Sequence, residues 1–115
     1  MLPFAIAAAV LLLAGPAAAQ TAFRASGSTV TLAATATSGR VAIQTAQTSS
    51  NVRIYNSSTT ATVFVQCGNA TVVATTTAGM PVAPGTVEII NCSTHLAGIT
   101  ASGTASLYLT PGSGL

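Results

Sequence analysis

The chain has 115 residues, with three Arg, one Glu, one His and neither Lys nor Asp. Thirty Thr and Ser residues stand in for the charged side chains that make up about a quarter of an ordinary soluble domain. Three scattered Arg residues form no basic stripe, so the composition argues against nucleic-acid binding. A lone carboxylate also excludes hydrolysis by a pair of carboxylates, and no glycine-rich phosphate loop is present.

The first nineteen residues have the pattern of a secretory signal peptide. Residues 4–14 are apolar, a Gly-Pro pair breaks the run, and three alanines ending at Ala19 form a small-residue cleavage site. The run is shorter than the roughly twenty apolar residues that cross a bilayer. We therefore predict a helical signal peptide over 1–19 and one mature domain over 20–115, without a membrane span and exported to the periplasm or the extracellular space.

The rest of the chain alternates apolar and polar residues, which is typical of half-buried strands. The pattern predicts strands over residues 28–35, 40–45, 51–55, 61–67, 71–74, 86–92, 96–100 and 104–110. Short strands at this spacing, with no helix of length between them, predict an all-β fold. The prediction is a single antiparallel β-sandwich of immunoglobulin-like or jelly-roll topology, with a small closed barrel as the alternative.

Glycine and proline set the predicted turns. Gly68-Asn69 is typical of a two-residue hairpin turn, with 71–74 as the returning strand. Residues 78–85 contain two prolines and are predicted to form a loop, because two prolines cannot both occupy a central strand. The Pro-Gly-Ser-Gly segment at 111–114 is predicted to end the domain.

Cys67 and Cys92 are the only cysteines, and the strand pattern places them on different strands. In an exported domain such a pair most often forms a structural disulfide, and a closed loop of about 25 residues stabilises by roughly 3 kcal/mol. If residues 1–19 are not a signal peptide, the same side chains are expected to be reduced, partly buried thiols. The disulfide prediction therefore depends on export.

The segment Cys92–His95 contains the residue types of thiol or metal chemistry. A metal site needs three or four ligands, and Cys67, Cys92 and His95 would need Glu88 to complete a set. A Cys–His nucleophile needs a third group to orient the imidazole, which only Asn91 or Glu88 could provide. We therefore predict no catalytic, cofactor or metal site, and we interpret His95 as a strand-edge or loop histidine hydrogen-bonded to backbone.

The surface is expected to be neutral and rich in hydroxyl groups. Such a surface lacks the charge repulsion that keeps monomers apart, so the chain is either a tolerated low-charge domain or a subunit that packs against copies of itself. The aromatic residues are interpreted as core or sheet-face packing, too few and too dispersed to form a stacking platform: Phe23, Tyr55, Phe64 and Tyr108.

The C-terminal half of the chain, residues 52–112, resembles a group of small β-rich proteins encoded among phage and prophage structural genes of proteobacteria. The resemblance rests on strand and turn segments: Val52–Asn56, Ala61–Val65, Met80–Val82, Pro84–Glu88, Thr94–Ala105 and Thr110–Gly112. It implies a virion-associated or decoration-like β-sandwich with no enzymatic site to carry over. Virion association is expected if residues 1–19 are not a signal peptide.

These features together predict a non-catalytic structural or surface-interaction module. Its expected partners are proteins, either copies of itself or the surface of a particle or envelope. The alternative is a periplasmic or secreted domain that binds a small ligand or glycan through a loop such as 79–85. A third hypothesis is a thiol or metal enzyme built on Cys67, Cys92 and His95.

Overall fold

A computed structural model describes residues 21–43 and 51–115 of the protein. The predicted signal peptide lies outside the described residues, so it stays a prediction. The described residues form nine strands and no helix: β1 (Arg24–Ala25), β2 (Val30–Ala34), β3 (Gly39–Ala42), β4 (Asn51–Asn56), β5 (Val63–Gly68), β6 (Met80–Val82), β7 (Val87–Asn91), β8 (His95–Thr100) and β9 (Ala105–Ser113). Across 21–43 and 51–115 we find no helix with the length and apolarity to cross a bilayer.

The strands form two antiparallel sheets packed together. In sheet A the order is β2, β9, β4, β7, with the short β1 pairing beside β2 on the same edge of β9. In sheet B the order is β3, β8, β5, β6. The all-β, sandwich-like prediction is therefore confirmed, and the described strands form two separate sheets, not one closed barrel.

The strand pairing is that of one long hairpin, nested and rolled up. β5 pairs with β6, β4 with β7, β3 with β8 and β2 with β9, all antiparallel. Pairing of β4 with β9 and of β5 with β8 closes the roll. The connections 35–38, 57–62, 83–86 and 101–104 consequently meet at one end of the molecule, and 92–94 lies at the other, where 69–79 leaves β5.

The alternating pattern builds the core. On β4, Val52 and Ile54 are fully buried, and on β5 Val63 is fully buried, all on the predicted faces. Burying one such side chain stabilises the fold by about 1.5–3 kcal/mol. The core cluster also contains Leu32, Ala34, Ile43, Ala61, Val65, Val82, Cys92, Leu96, Ala105, Leu107 and Leu109.

The predicted hairpin at Gly68-Asn69 is wrong. Residues 69–79 form a long connection from β5 to β6, and 71–74 form no strand. The Asn69 carboxamide turns the chain by accepting a hydrogen bond from the backbone N–H two residues on, at 3.0 Å. A Cβ on Gly68 would lie 2.7 Å from the Cβ of Val72. The glycine is therefore needed for a close approach of the returning chain, not for a tight hairpin turn.

Two proline-containing segments predicted to be loop or chain end belong to strands. Pro81 lies in β6, an edge strand of three residues, where proline is tolerated. β9 continues to Ser113 and carries Pro111 through the middle of sheet A. The Pro111 carbonyl accepts a hydrogen bond from Ser26 N at 2.9 Å. The backbone nitrogen of Pro111 therefore faces the gap between β1 and β2 and not β4. Its missing N–H costs no hydrogen bond between β9 and β4.

Candidate functional site

The outer surface of sheet A carries two exposed tyrosines side by side. Tyr55 on β4 and Tyr108 on β9 are directly opposite in the strand register. Their ring centroids are 6.3 Å apart, their planes meet at 24°, and the residues are 36% and 42% exposed. The two residues lie on a sheet face, as interpreted from the sequence, and strand pairing brings them into contact although they are distant in sequence.

Apolar and hydroxyl side chains extend this pair across the sheet. Thr31 on β2 is the register partner of Tyr108, and Val87 on β7 is that of Tyr55. Val87 is 40% exposed. Arg53 lies on β4 two residues before Tyr55, on the same face of the sheet. It is exposed and forms no ion pair with any described residue. We call these five residues, Thr31, Arg53, Tyr55, Val87 and Tyr108, the tyrosine face.

The outer surface of sheet B is covered by the chain itself. The connection 69–79 lies over it, and Ala74 within that connection is 1% exposed. The Ala74 N–H donates to Ser38 Oγ at 2.9 Å, next to β3. Ala97 points outward from β8 and is nevertheless fully buried. Within 21–43 and 51–115, sheet A is therefore the sheet whose outer surface stays open to a partner.

Cys67 and Cys92 form a disulfide, with their Cα atoms 5.2 Å apart. The bond joins β5 of sheet B to the residue that follows β7 of sheet A, so it ties the two sheets together. The predicted pairing is confirmed. Because both sulfur atoms are consumed in the bond, neither is available as a thiolate ligand or nucleophile.

His95 and Glu88 do not join the cysteines in a reactive group. His95 begins β8, is partly buried, and has Nδ1 2.8 Å from Thr94 Oγ1, so its partner is a side-chain hydroxyl and not the expected backbone group. Glu88 is exposed on β7 and forms no ion pair with any described residue. Among the described residues, no three His, Cys, Asp or Glu side chains come together in a metal-binding arrangement.

A cleft of about 470 Å³ opens at the end where 35–38, 57–62 and 101–104 meet. Its lining is small and hydroxyl-rich: Ala33, Ala34, Thr35, Ser57, Ser58, Thr59, Thr104, Ala105 and Ser106. Ser57 Oγ donates to Ser106 O at 2.9 Å, so part of the hydroxyl set holds the loops together. The predicted ligand loop 79–85 contributes no residue to this cleft.

Asn56 anchors the same end of the molecule and was missed as a structural residue, since Asn56-Ser57-Ser58 has the composition of an exposed turn. It is 0% exposed. Its Nδ2 donates to Ala61 O at 2.9 Å and to Val82 O at 3.0 Å, and its Oδ1 accepts from Ser58 N at 3.0 Å. One side chain thus joins β4 to the next connection and to β6.

Comparison of the chain with protein-family models, with curated proteins and with solved structures finds no match in any of the three.

Proposed function

We propose that the protein is a non-catalytic structural module that attaches to the surface of a particle or envelope through its tyrosine face. The observation that carries the proposal is the stacked, exposed pair of Tyr55 and Tyr108 on the uncovered outer surface of sheet A. Tyrosine supplies a large contact area and a polar hydroxyl, and it is enriched at protein interfaces. The neighbouring Val87 adds apolar area to the same surface.

The strand order supports a jelly-roll topology. Strands β2 to β9 make two four-stranded sheets from one nested hairpin, whereas an immunoglobulin-like domain divides its strands as four and three in another order. Jelly rolls form viral capsid and lectin domains. A phage-derived, decoration-like role agrees with this topology and with the resemblance of residues 52–112.

The disulfide supports export. Disulfides form and persist in oxidising compartments, and Cys67–Cys92 is formed between the two sheets. We propose that residues 1–19 are a helical signal peptide and that the mature domain lies in the periplasm or outside the cell. Virion association is the corresponding proposal if this segment is not a signal peptide.

Replacing both tyrosines with serine tests the tyrosine face. We expect the Tyr55→Ser, Tyr108→Ser variant to bind particle or envelope fractions at least about thirtyfold more weakly, because loss of an interface hot spot costs about 2 kcal/mol or more. Cosedimentation of the purified protein with each fraction measures the binding. Val73→Ser is the matched control, since Val73 is 57% exposed over sheet B. Equal binding by the double variant contradicts the role of the tyrosine face, and a wild-type protein that binds no fraction contradicts the function.

The cleft favours a second candidate, the binding of a small neutral glycan or polyol. Thr59 and Thr104 line it, are exposed, and have no hydrogen-bond partner among the described residues. A ligand at about one hundred times its Kd stabilises a protein by about 2.7 kcal/mol. A thermal-shift series with neutral mono- and disaccharides should then raise the melting temperature of the wild type and not that of the Thr59→Val, Thr104→Val variant. No shift with any sugar removes this candidate.

A further inference from the structure

We propose that two copies of the chain join edge to edge through β2, so that sheet A continues across the pair. The inference rests on the proposed structural function and names a second copy as one partner. The two sheets have four edges: β2 and β7 in sheet A, and β3 and β6 in sheet B. An edge strand has unpaired N–H and C=O groups that pair with another strand unless something blocks them.

Three of the four edges carry a blocking residue. β6 is three residues long and contains Pro81, and β3 carries the exposed Arg40. On β7 the blocking residue is Glu88, the only carboxylate side chain of the chain. Its register partner is the inward-facing, fully buried Ile54, so the carboxylate leaves the strand on the inner side, where an added strand would bury it. Inward-pointing charges and proline are known protections of sheet edges.

The edge at β2 has neither charge nor proline. Its sequence over Val30–Ala34 consists of apolar residues and one threonine, and Val30 and Thr31 are β-branched residues that favour strands. The basic side chains nearest to it in sequence are Arg24 and Arg40, which lie on β1 and β3. The bare edge is therefore confined to β2.

The backbone of sheet A shows which groups of β2 are free. The Pro111 carbonyl accepts a hydrogen bond from Ser26. The other odd-numbered residues of β9 therefore direct their backbone groups to the same side, toward β2. Val30, Leu32 and Ala34 are the partners of those residues and bond to β9. The intervening Thr31 and Ala33 consequently direct their N–H and C=O groups away from β9, toward the open edge.

A second β2 is the strand that this edge matches. The free backbone groups lie on the odd-numbered residues Thr31 and Ala33. Antiparallel pairing of β2 with β2 of a second copy therefore places odd-numbered residues opposite odd-numbered ones and even-numbered residues opposite even-numbered ones. Thr31 then meets Thr31 or Ala33 on the outer side, and Leu32 meets an apolar residue on the inner side. No like charges meet in either register. The two-fold axis of such a pair is perpendicular to the sheet, so both tyrosine faces lie on the same side.

The test uses the full chain with its disulfide intact. Thr31→Pro removes one outward N–H and leaves the bonds of β2 to β9 in place, and proline is tolerated on edge strands. Sedimentation analysis over a concentration series should show a reversible dimer for the wild type and at least a tenfold larger dimer Kd for this variant. Val87→Pro is the matched control, because Val87 is the first residue of the opposite edge strand and is expected to leave the dimer unchanged.

Thr31→Lys provides an independent variant that keeps the N–H. It brings two like charges together across the two-fold axis, so the dimer should weaken, and added salt should partly restore it. Far-UV circular dichroism and melting curves show whether each variant folds, and if Thr31→Pro does not fold, Thr31→Lys decides. A wild-type dimer unaffected by the variants overturns the edge proposal and leaves the structural function standing. A wild-type protein that is monomeric but still cosediments with particles or envelopes also overturns only the proposal of edge-to-edge pairing. A monomeric wild-type protein that binds no fraction overturns the proposed function.

Discussion

Loss of the disulfide between Cys67 and Cys92 should lower the free energy of unfolding by about 3 kcal/mol. The two cysteines are 25 residues apart in sequence, so the bond restricts a substantial loop of the unfolded chain while it ties sheet A to sheet B. For a domain of this size that loss lowers the melting temperature by on the order of 15 °C. Thermal unfolding of the Cys67→Ala, Cys92→Ala variant measures the effect.

Chemical reduction of the wild type is the control for this prediction. Cys92 is 4% exposed, so its substitution also removes packing contacts, whereas reduction breaks only the covalent bond. The reduced wild type should therefore lose most, but not all, of the stability that the double variant loses. A melting temperature that does not change on reduction would show that the bond contributes little.

The Asn56→Asp substitution is expected to destabilise the protein by about 3 kcal/mol or more. The change is nearly isosteric, but it replaces two N–H donors with a carboxylate oxygen. That oxygen would lie against the carbonyl oxygens of Ala61 and Val82 in a site with no exposure to solvent. Urea denaturation of the variant and the wild type measures the difference.

The matched control is Asn69→Asp. Asn69 is exposed, and its Oδ1 acts only as an acceptor, from the backbone N–H and the hydroxyl of Thr71. Aspartate keeps that acceptor, so this change should stay within about 0.5 kcal/mol of the wild type. Similar losses for the two variants would contradict the structural role assigned to Asn56.

The side of the sheet on which each residue lies could be predicted from local sequence alone. Alternation in β4 predicts Val52 and Ile54 inward and Arg53 and Tyr55 outward, and the structure has this arrangement. The reason is that side chains on an extended chain alternate regardless of which strand lies beside it. The all-β class and the disulfide follow from the same local information together with composition.

Such local patterns do not predict which strands pair with each other. The pairing of β4 with β9 puts Tyr55 opposite Tyr108, and no short-range signal specifies that register. The stacked pair and the tyrosine face were therefore missed. The bare edge at β2 depends in the same way on which strands pair on either side.

The wrong predictions of a turn at Gly68 and of a domain end at Pro111 arise because tertiary contacts override the usual local roles of glycine and proline. Gly68 suggested a hairpin turn, but its lack of a side chain makes room for Val72. Pro111 suggested a chain end, but a break in the neighbouring strand leaves its missing N–H without consequence. Turn and breaker residues report local backbone freedom, and the use of that freedom is decided by distant parts of the chain.

The position of β9 has a consequence for how the protein is made. β9 follows the other eight described strands in sequence, yet it lies inside sheet A and pairs with β1, β2 and β4. Sheet A therefore cannot assemble during synthesis until residues 105–113 have left the ribosome. The native pairing of β1, β2 and β4 must wait for these residues, and such long-distance pairings make folding slow compared with that of a helical domain of equal length.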